Sequence, residues 1–191
     1  MPGDEVRVLS VSSAAEWQQW LESDHATSGG VWLKIARKGR AEAGISYPEA
    51  LLEALRFGWI DGQKRSLDTN HWLQRFTPRK PGSRWSKINT EHAEALIAAG
   101  RMEPAGQREV DAARADGRWD AAYAGQRTIE VPADLAQALT ANPAAAAFFT
   151  TISSQNRYSI LHRIGAVKRP ETRARKIAQY VEMLAAHKTI H

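Results

Sequence analysis

The hydrophobic pattern changes character near residue 101. Before it, three short segments show the alternation and bulky apolar residues typical of strands: Val31–Ala36, 59–67 and 71–77. The last two flank residues 68–70, a run of turn formers that predicts a hairpin. After residue 101 the strand signal vanishes and apolar residues recur at helical spacing. The pattern therefore predicts an α+β fold, with a small antiparallel sheet flanked by helices and an all-helical C-terminal subdomain.

Capping sequences mark the predicted helix starts. Ser13 with Glu16 and Ser46 with Glu49 match the S-x-x-E capping box. Further helices are predicted to begin at Ser86 or Asn89, Pro104, Pro132, Asn142-Pro143, Ser153 or Ser154, and Pro170. The last helix is predicted to bury a stripe made of Ile177, Tyr180, Val181 and Leu184.

The two patterns divide the chain into two predicted parts, an α+β domain over residues 1–125 and a helical subdomain over residues 131–191. Residues 124–130 form the predicted linker. Trp119 and Tyr123, four residues apart, are predicted to hold the two parts together. Three valines near the start are available for a strand at the sheet edge: Val6, Val8 and Val11.

Composition and charge narrow the class of protein. With 43% hydrophobic and 25% charged residues, the chain has the composition of an ordinary globular protein. The absence of cysteine excludes disulfides, thiolate nucleophiles and cysteine-based metal sites. No secretory signal opens the chain and no apolar run approaches the roughly 20 residues needed to cross a bilayer, so we expect a cytoplasmic location and no membrane partner. The formal net charge of +5 favours anionic partners, from phosphorylated metabolites to nucleic acid.

Sequence motifs for cofactors and metals are missing. Neither the P-loop motif nor G-x-G-x-x-G occurs, which argues against a nucleotide cradle of either kind. The six histidines are scattered and no H-E-x-x-H motif accompanies them, so no metal site is expected. We likewise expect no cofactor.

Residues 57–89 concentrate the unusual chemistry of the chain. This stretch holds seven Lys or Arg, two acids and three of the seven tryptophans: Trp59, Trp72 and Trp85. Stiff aromatic residues beside concentrated positive charge predict a shaped surface that attracts anions. The alternative is a twisted hairpin with tryptophans in the core and cations in solvent. Residues 77–83 are predicted to form a basic loop rather than a central strand, because Pro78 and Pro81 lack a backbone donor.

A ligand pocket is predicted between the sheet and the loop 78–87. The predicted ligand-binding residues are Trp59, Asp61, Arg79, Arg84, Trp85, Ser86 and Tyr47. The two tryptophans are predicted to be stacking walls and the two arginines to be anion clamps, since a guanidinium presents a planar fork to two oxygens. Asp61 is the candidate catalytic residue. It is either a general base or a structural partner of Arg75 or Arg79.

A second basic cluster lies in the helical part. Seven Lys or Arg fall between residues 157 and 176, against Glu171 as the one acid. Arg169, Arg173 and Lys176 are predicted to share one face of the last helix, an arrangement that suits the phosphates of nucleic acid. The alternatives are a solvated face and docking of Arg173 on the first domain.

Several short motifs resemble one known family. They are Gly30-Val31-Trp32-Leu33, Ser46-Tyr47-Pro48-Glu49-Ala50, Phe57-Gly58-Trp59-Ile60-Asp61-Gly62, Ser83-Arg84-Trp85-Ser86-Lys87-Ile88-Asn89, Asp116-Gly117-Arg118-Trp119 and Glu171-Thr172-Arg173-Ala174-Arg175. By these motifs the chain resembles, over nearly its full length, the YdeI/OmpD-associated (OmdA-like) family of bacteriocin-protection proteins. The resemblance implies tolerance of antimicrobial stress and association with an outer-membrane porin. It supplies no catalytic residues.

Three functions follow as hypotheses. The first is a cytoplasmic, non-enzymatic stress-tolerance protein that binds an anionic ligand in the predicted pocket. The second is a small enzyme that acts on a phosphorylated or nucleotide-like substrate with Asp61 as base. The third is a non-specific nucleic-acid binder that uses the basic face of the last helix. The sequence leaves enzymatic activity and oligomeric state open.

Overall fold

The computed structural model describes residues 7–40, 44–125 and 128–191. Val6 of the predicted edge strand, part of the loop after Val31–Ala36 and the centre of the predicted linker lie outside the described residues. The chain forms two compact units, residues 1–122 and residues 123–191. Each unit has its own hydrophobic core.

The first unit contains a four-stranded sheet in the order β1-β2-β4-β3. The strands are β1 (Val8–Leu9), β2 (Val31–Ala36), β3 (Trp59–Ser66) and β4 (His71–Pro78). β1 runs parallel to β2, whereas β4 pairs antiparallel with both β2 and β3. Together with the helices this confirms the predicted α+β class and the predicted hairpin, and it gives β1 the expected place at the sheet edge.

Strand β4 ends at Pro78, one residue beyond the predicted strand. The position is compatible with proline because of where the neighbouring strands stop. Pro78 pairs with Trp59 of β3, while the pairing of β4 with β2 begins only at Phe76 and Val31. At its last residue β4 therefore has a neighbour on one side, and the missing N–H of proline breaks no bond to β2.

Four helices complete the first unit: α1 (Ala14–Asp24), α2 (Tyr47–Arg56), α3 (Lys87–Ala98) and α4 (Pro104–Ala115). Alternate residues of the central strands are fully buried and pack with Trp17 and Leu21 of α1: Val31, Leu33, Ile35 and Phe76. Gly58 follows α2 with a φ of +75°, the left-handed conformation expected of a glycine that ends a helix.

The helix caps form as the sequence predicts, except that one carboxylate accepts its hydrogen bonds from a different residue. Ser13 Oγ accepts a hydrogen bond from Glu16 N at 3.3 Å, as predicted, but the Glu16 carboxylate accepts from Ser12 N and Ser12 Oγ instead of from Ser13 N. The predicted capping box is therefore wrong in its second half. At α2 the box forms as predicted, because Glu49 accepts from the backbone N–H of Ser46 at 3.0 Å.

The second unit consists of α5 (Ala133–Thr140), α6 (Pro143–Thr151), α7 (Ser154–Gly165) and α8 (Pro170–Ala185). The predicted stripe of α8 is buried in its core. Trp119 packs on Trp85 in the first unit, with ring centroids 4.9 Å apart, and Tyr123 packs edge-on against His162 in the second unit at 5.0 Å. Each of these two aromatic contacts lies within one unit.

Candidate functional site

A bulge in the β3–β4 hairpin arranges the side chains near its tip. The register shifts between Asp61 and Lys64, and the buried amide of Gln74 donates hydrogen bonds to the carbonyls of Gly62 and Gln63 there. Beyond the bulge Lys64 lies opposite Gln74, and the next residue but one, Ser66, lies opposite Trp72. Residues paired in this way share one face of the sheet.

Arg37, which follows β2, is bound to the tip of the same hairpin. Its backbone N–H donates to Asn70 O at 2.8 Å, its Nε to Asp68 O at 3.2 Å and its Nη2 to Ser66 Oγ at 3.1 Å. The guanidinium therefore has a fixed position beside the hairpin.

The carboxylate of Asp68 stabilises the hairpin turn through hydrogen bonds with residues of the same turn. Its Oδ1 accepts from the backbone N–H groups of Asn70 and His71, and His71 Nδ1 lies 2.9 Å away. Burial alone raises the pKa of Asp68, but the hydrogen bonds from Asn70 and His71 lower it below its ordinary value. The carboxylate is thus committed to the turn rather than to the neighbouring cations.

These elements enclose a cleft of about 430 Å³, which we call the tip cleft. It is lined by Arg37, Lys64, Arg65, Ser66 and Trp72. Three of the five described lining residues are cationic and none is acidic. The tip cleft therefore attracts anions electrostatically.

Aromatic contacts fix two further residues at the tip cleft. Arg65 pairs with Leu73, so its side chain lies on the sheet face opposite that of Lys64 and Trp72, where its guanidinium carbon is 4.4 Å from the ring centroid of Trp32. The ring of Trp72 packs against Tyr47 at 5.7 Å, and Tyr47 OH donates to Asp61 Oδ2 at 2.9 Å. The structure thus brings two of the predicted site residues, Tyr47 and Asp61, into contact with each other, next to Trp72 of the tip cleft.

The two predicted stacking walls are enclosed in the core of the first unit. Trp59 is 1% exposed, packs against Trp17 and Trp20, and donates from Nε1 to His25 O at 3.2 Å. Trp85 is 2% exposed. Both therefore match the alternative interpretation of the stretch, in which these tryptophans are core.

The remaining predicted residues hold the loop after β4. Arg79 is 6% exposed, and its Nη1 donates to Arg84 O at 3.3 Å. Ser86 is the N-cap of α3, and its Oγ accepts from Asn89 N at 3.2 Å. The side chain of Arg84 is exposed. In these contacts Arg79 and Ser86 stabilise local structure.

The basic face of α8 is partly used inside the second unit. Arg173 donates from Nε and Nη2 to the carboxylate of Asp134 in α5, and from Nη1 to Ile164 O in α7 at 2.9 Å. The hydrogen bond between the two side chains lowers the pKa of Asp134 and raises that of Arg173. Arg173 thus docks within its own unit. Arg169 is exposed and Lys176 is half-buried.

Sequence reasoning missed the tip cleft. Lys64, Arg65 and Trp72 all belong to the stretch 57–89, but the pattern alone did not select them. The available signal was a pair of adjacent cations shortly before the turn and a tryptophan shortly after it. Arg37 carried no comparable signal, because it meets the hairpin only through the fold.

Two further properties bear on function. Within residues 7–40, 44–125 and 128–191, no group of three or more His, Asp or Glu is placed to hold a metal ion. None of the helices in this described part of the chain is long and apolar enough to cross a membrane.

Comparison with known proteins gives a family for each unit. Residues 9–109, more than half of the chain, match the family described as Domain of unknown function (DUF8412). Residues 128–187 match the family described as Bacteriocin-protection, YdeI or OmpD-Associated. Neither the curated proteins nor the solved structures compared with the chain give a match. The chain therefore belongs to the DUF8412 family, and residues 128–187 of its helical unit are similar to the bacteriocin-protection, YdeI or OmpD-associated family.

Proposed function

We propose that this protein binds an anionic ligand at the tip cleft and acts as a binding protein rather than as an enzyme. The observation that carries the proposal is the lining of the cleft, in which Arg37 and Lys64 stand together beside Trp72 with no acid among the described lining residues. Like charges gathered in this way repel one another in the free protein. A bound anion relieves that repulsion and gains charge-assisted hydrogen bonds.

One of the cations, Arg37, is held before any ligand arrives. Its guanidinium is fixed by hydrogen bonds to the hairpin tip. A side chain that is already ordered loses less conformational entropy on binding, so more of its interaction energy appears as affinity. Arginine also offers paired donors that match phosphate and carboxylate oxygens.

The proposed biological role is tolerance of antimicrobial stress in the cytoplasm. The printed description of the family matched by the helical unit, which includes bacteriocin protection, supports this role. A strain that lacks the protein should survive bacteriocin exposure less well, and the wild-type protein should restore survival. Lys64→Gln should restore it poorly if anion binding is required, whereas Lys80→Gln, a change of the same charge in the loop after β4, should restore it fully.

Thermal unfolding with added anions tests the binding proposal directly. The panel contains inorganic pyrophosphate, nucleoside monophosphates, sugar phosphates and short oligonucleotides. A ligand at a hundred times its Kd stabilises the folded protein by roughly 2.7 kcal/mol, which raises the Tm measurably. Lys64→Gln should abolish the shift and Lys80→Gln should keep it. A shift that survives Lys64→Gln but disappears in Arg84→Gln would move the site to the pocket predicted from the sequence.

A second candidate function rests on the pair formed by Tyr47 and Asp61. These residues lie behind Trp72, so a general base stands close to the tip cleft. As an enzyme on a phosphorylated or nucleotide-like substrate, the protein should lose turnover in Asp61→Asn while it keeps the Kd for the substrate. Equal turnover in Asp61→Asn and wild type excludes this candidate.

A further inference from the structure

We infer that the anion bound at the tip cleft is a single-stranded nucleic acid, with its phosphates along residues 37–40 and the hairpin and one base stacked on Trp72. The inference rests on the proposed function and names its ligand. Three features of the hairpin tip carry it: the extent of the positive charge, the aromatic wall, and the exposure of the tip.

The positive charge extends beyond the tip cleft. The segment after β2 continues as a turn in which Arg40 N donates to Arg37 O at 2.9 Å, and the side chains of Lys38 and Arg40 are exposed. This segment is tied to the hairpin by the bond from Arg37 N to Asn70 O. Four cations therefore lie on two adjoining segments, and we call them the tip patch: Arg37, Lys38, Arg40 and Lys64.

The number of cations in the tip patch favours a polyanion over a single phosphate. One phosphate carries at most two negative charges and contacts two or three cations. A strand with a phosphate on every nucleotide presents repeated charges that can engage all four. Each contact releases condensed counterions, which adds to the affinity. Asp68, the acid within the turn, already accepts hydrogen bonds from Asn70 and His71 and so offsets this charge less than a free carboxylate would.

The aromatic wall favours single strands over duplexes. Trp72 lines the cleft and is packed against Tyr47, which supports the indole in one orientation. An indole face stacks well on an unpaired base, whereas duplex bases are already stacked on one another. Inorganic anions gain nothing from such a wall.

The hairpin tip is open to a long ligand. Residues 62–70 are all exposed, and Leu67, 47% exposed, adds apolar surface at the start of the turn. A strand can therefore pass across the tip without entering an enclosed cavity. Contacts to phosphates give no sequence choice, so binding should be largely independent of base sequence.

Fluorescence anisotropy with a labelled oligothymidylate of about 12 nucleotides tests the inference, since single-strand binding folds cover roughly 4–16 nucleotides. Four phosphate contacts give a slope of log K on log salt of roughly −2.8, so affinity should fall roughly fiftyfold between about 50 and about 200 mM salt. Trp72→Leu should weaken binding roughly tenfold or more, and Trp72→Phe should weaken it less, because a ring is retained.

Two triple variants that lose the same number of positive charges distinguish binding at the tip patch from a general effect of net charge. The tip variant carries Lys38→Gln, Arg40→Gln and Lys64→Gln. The control variant carries Lys80→Gln, Lys87→Gln and Arg108→Gln, all exposed residues of the same unit. The tip variant should lose most of the affinity and reduce the magnitude of the salt slope by roughly 2, while the control variant should stay close to wild type. Thermal unfolding of each variant checks that it is folded.

The contrary outcomes are distinct. If pyrophosphate or thymidine monophosphate competes at the tip cleft as tightly as the oligonucleotide does, the nucleic-acid inference is wrong and the proposed anion site stands. If a duplex of the same length binds more tightly than the single strand, the base-stacking argument is wrong. Equal losses in the tip and control variants, or a loss confined to Arg169→Gln with Lys176→Gln, remove the site from the hairpin altogether. If no anion binds at all, both proposals are wrong.

Discussion

Arg79 lies over Trp85, with its guanidinium carbon 3.5 Å from the ring centroid, and both side chains are buried. The backbone N–H of Arg79 also donates to Gly58 O at 3.1 Å, which joins the end of β4 to the end of α2. A cation–π contact removed from water is worth about 2 kcal/mol. The pair therefore contributes to the stability of the first unit.

We expect Arg79→Ala to lower the free energy of unfolding by about 2–3 kcal/mol, because it removes the cation–π contact and leaves space over the indole. Urea denaturation measures the loss. Lys80→Ala, which truncates the exposed neighbouring side chain, should change stability by less than about 0.5 kcal/mol. If Arg79→Ala instead leaves stability intact and abolishes anion binding, Arg79 is the anion clamp that the sequence suggested.

Local signals made most of the fold predictable. Ser86 precedes α3 and caps it, and Gly58 follows α2 with the positive φ that an ordinary side chain avoids. The hairpin follows from two alternating segments around a short run of turn formers. These features depend on a few neighbouring residues, so the sequence contains enough information to identify them.

The candidate site was less predictable because it depends on an irregularity and on a distant residue. Asp61 lies on the sheet face that carries Trp72. Strict alternation would place Gln63 and Arg65 on that face too, but because of the bulge Lys64 lies there instead. Arg37 meets Ser66 across 29 residues of sequence. The presence of a tryptophan in the sequence, moreover, does not show whether its ring lies in the hydrophobic core or lines a ligand site.

A buried ionic network ties α2 to the start of α4. Arg56 lies between Glu53 and Glu103, and Arg101 Nη2 is 2.9 Å from the second oxygen of Glu53. Glu53 and Arg56 are 5% and 7% exposed. Glu53→Gln should therefore destabilise the protein by about 3 kcal/mol in urea denaturation, because it removes the buried one of the two counter-charges of the Arg56 guanidinium and leaves only Glu103, which is 37% exposed.

The network has an exposed counterpart that serves as its control. Glu94 lies 3.8 Å from Arg114, and both side chains are about half exposed. Surface pairs of this kind contribute little, so Glu94→Gln should change stability by less than about 1 kcal/mol. Similar effects of Glu53→Gln and Glu94→Gln would show that burial adds nothing to the first pair.

The pair formed by Asp134 and Arg173 predicts a dependence of stability on pH in the helical unit. Its hydrogen bond lowers the pKa of Asp134 from 3.8 in the folded state. A lowered pKa adds stability above pH 3.8, and this stability is lost as the pH falls through the folded-state value. Because the Asp134 side chain is 45% exposed, the contribution should be no more than about 1 kcal/mol.

Asp134→Asn tests this dependence by chemical denaturation at neutral pH and at a pH below 3.8. The variant should be less stable than wild type at neutral pH. The difference should shrink in acid, because the wild-type carboxylate becomes protonated there and is then neutral, as the asparagine side chain is at every pH. A difference that stays constant with pH would assign the role of Asp134 to packing rather than charge.

Gly106 stands where α4 meets α2. A Cβ at this position would lie 2.8 Å from Leu55 O and 2.5 Å from Met102 Sδ, and would also clash with Arg56 O. Gly106→Ala should therefore lower the Tm, although alanine is favoured over glycine in a helix by about 1 kcal/mol. Gly165→Ala is the matched control, because nothing lies within 4 Å of its Cβ position at the end of α7, and it should leave the Tm unchanged or higher. If Gly106→Ala raises the Tm as much as Gly165→Ala, helix propensity outweighs the contact between α4 and α2.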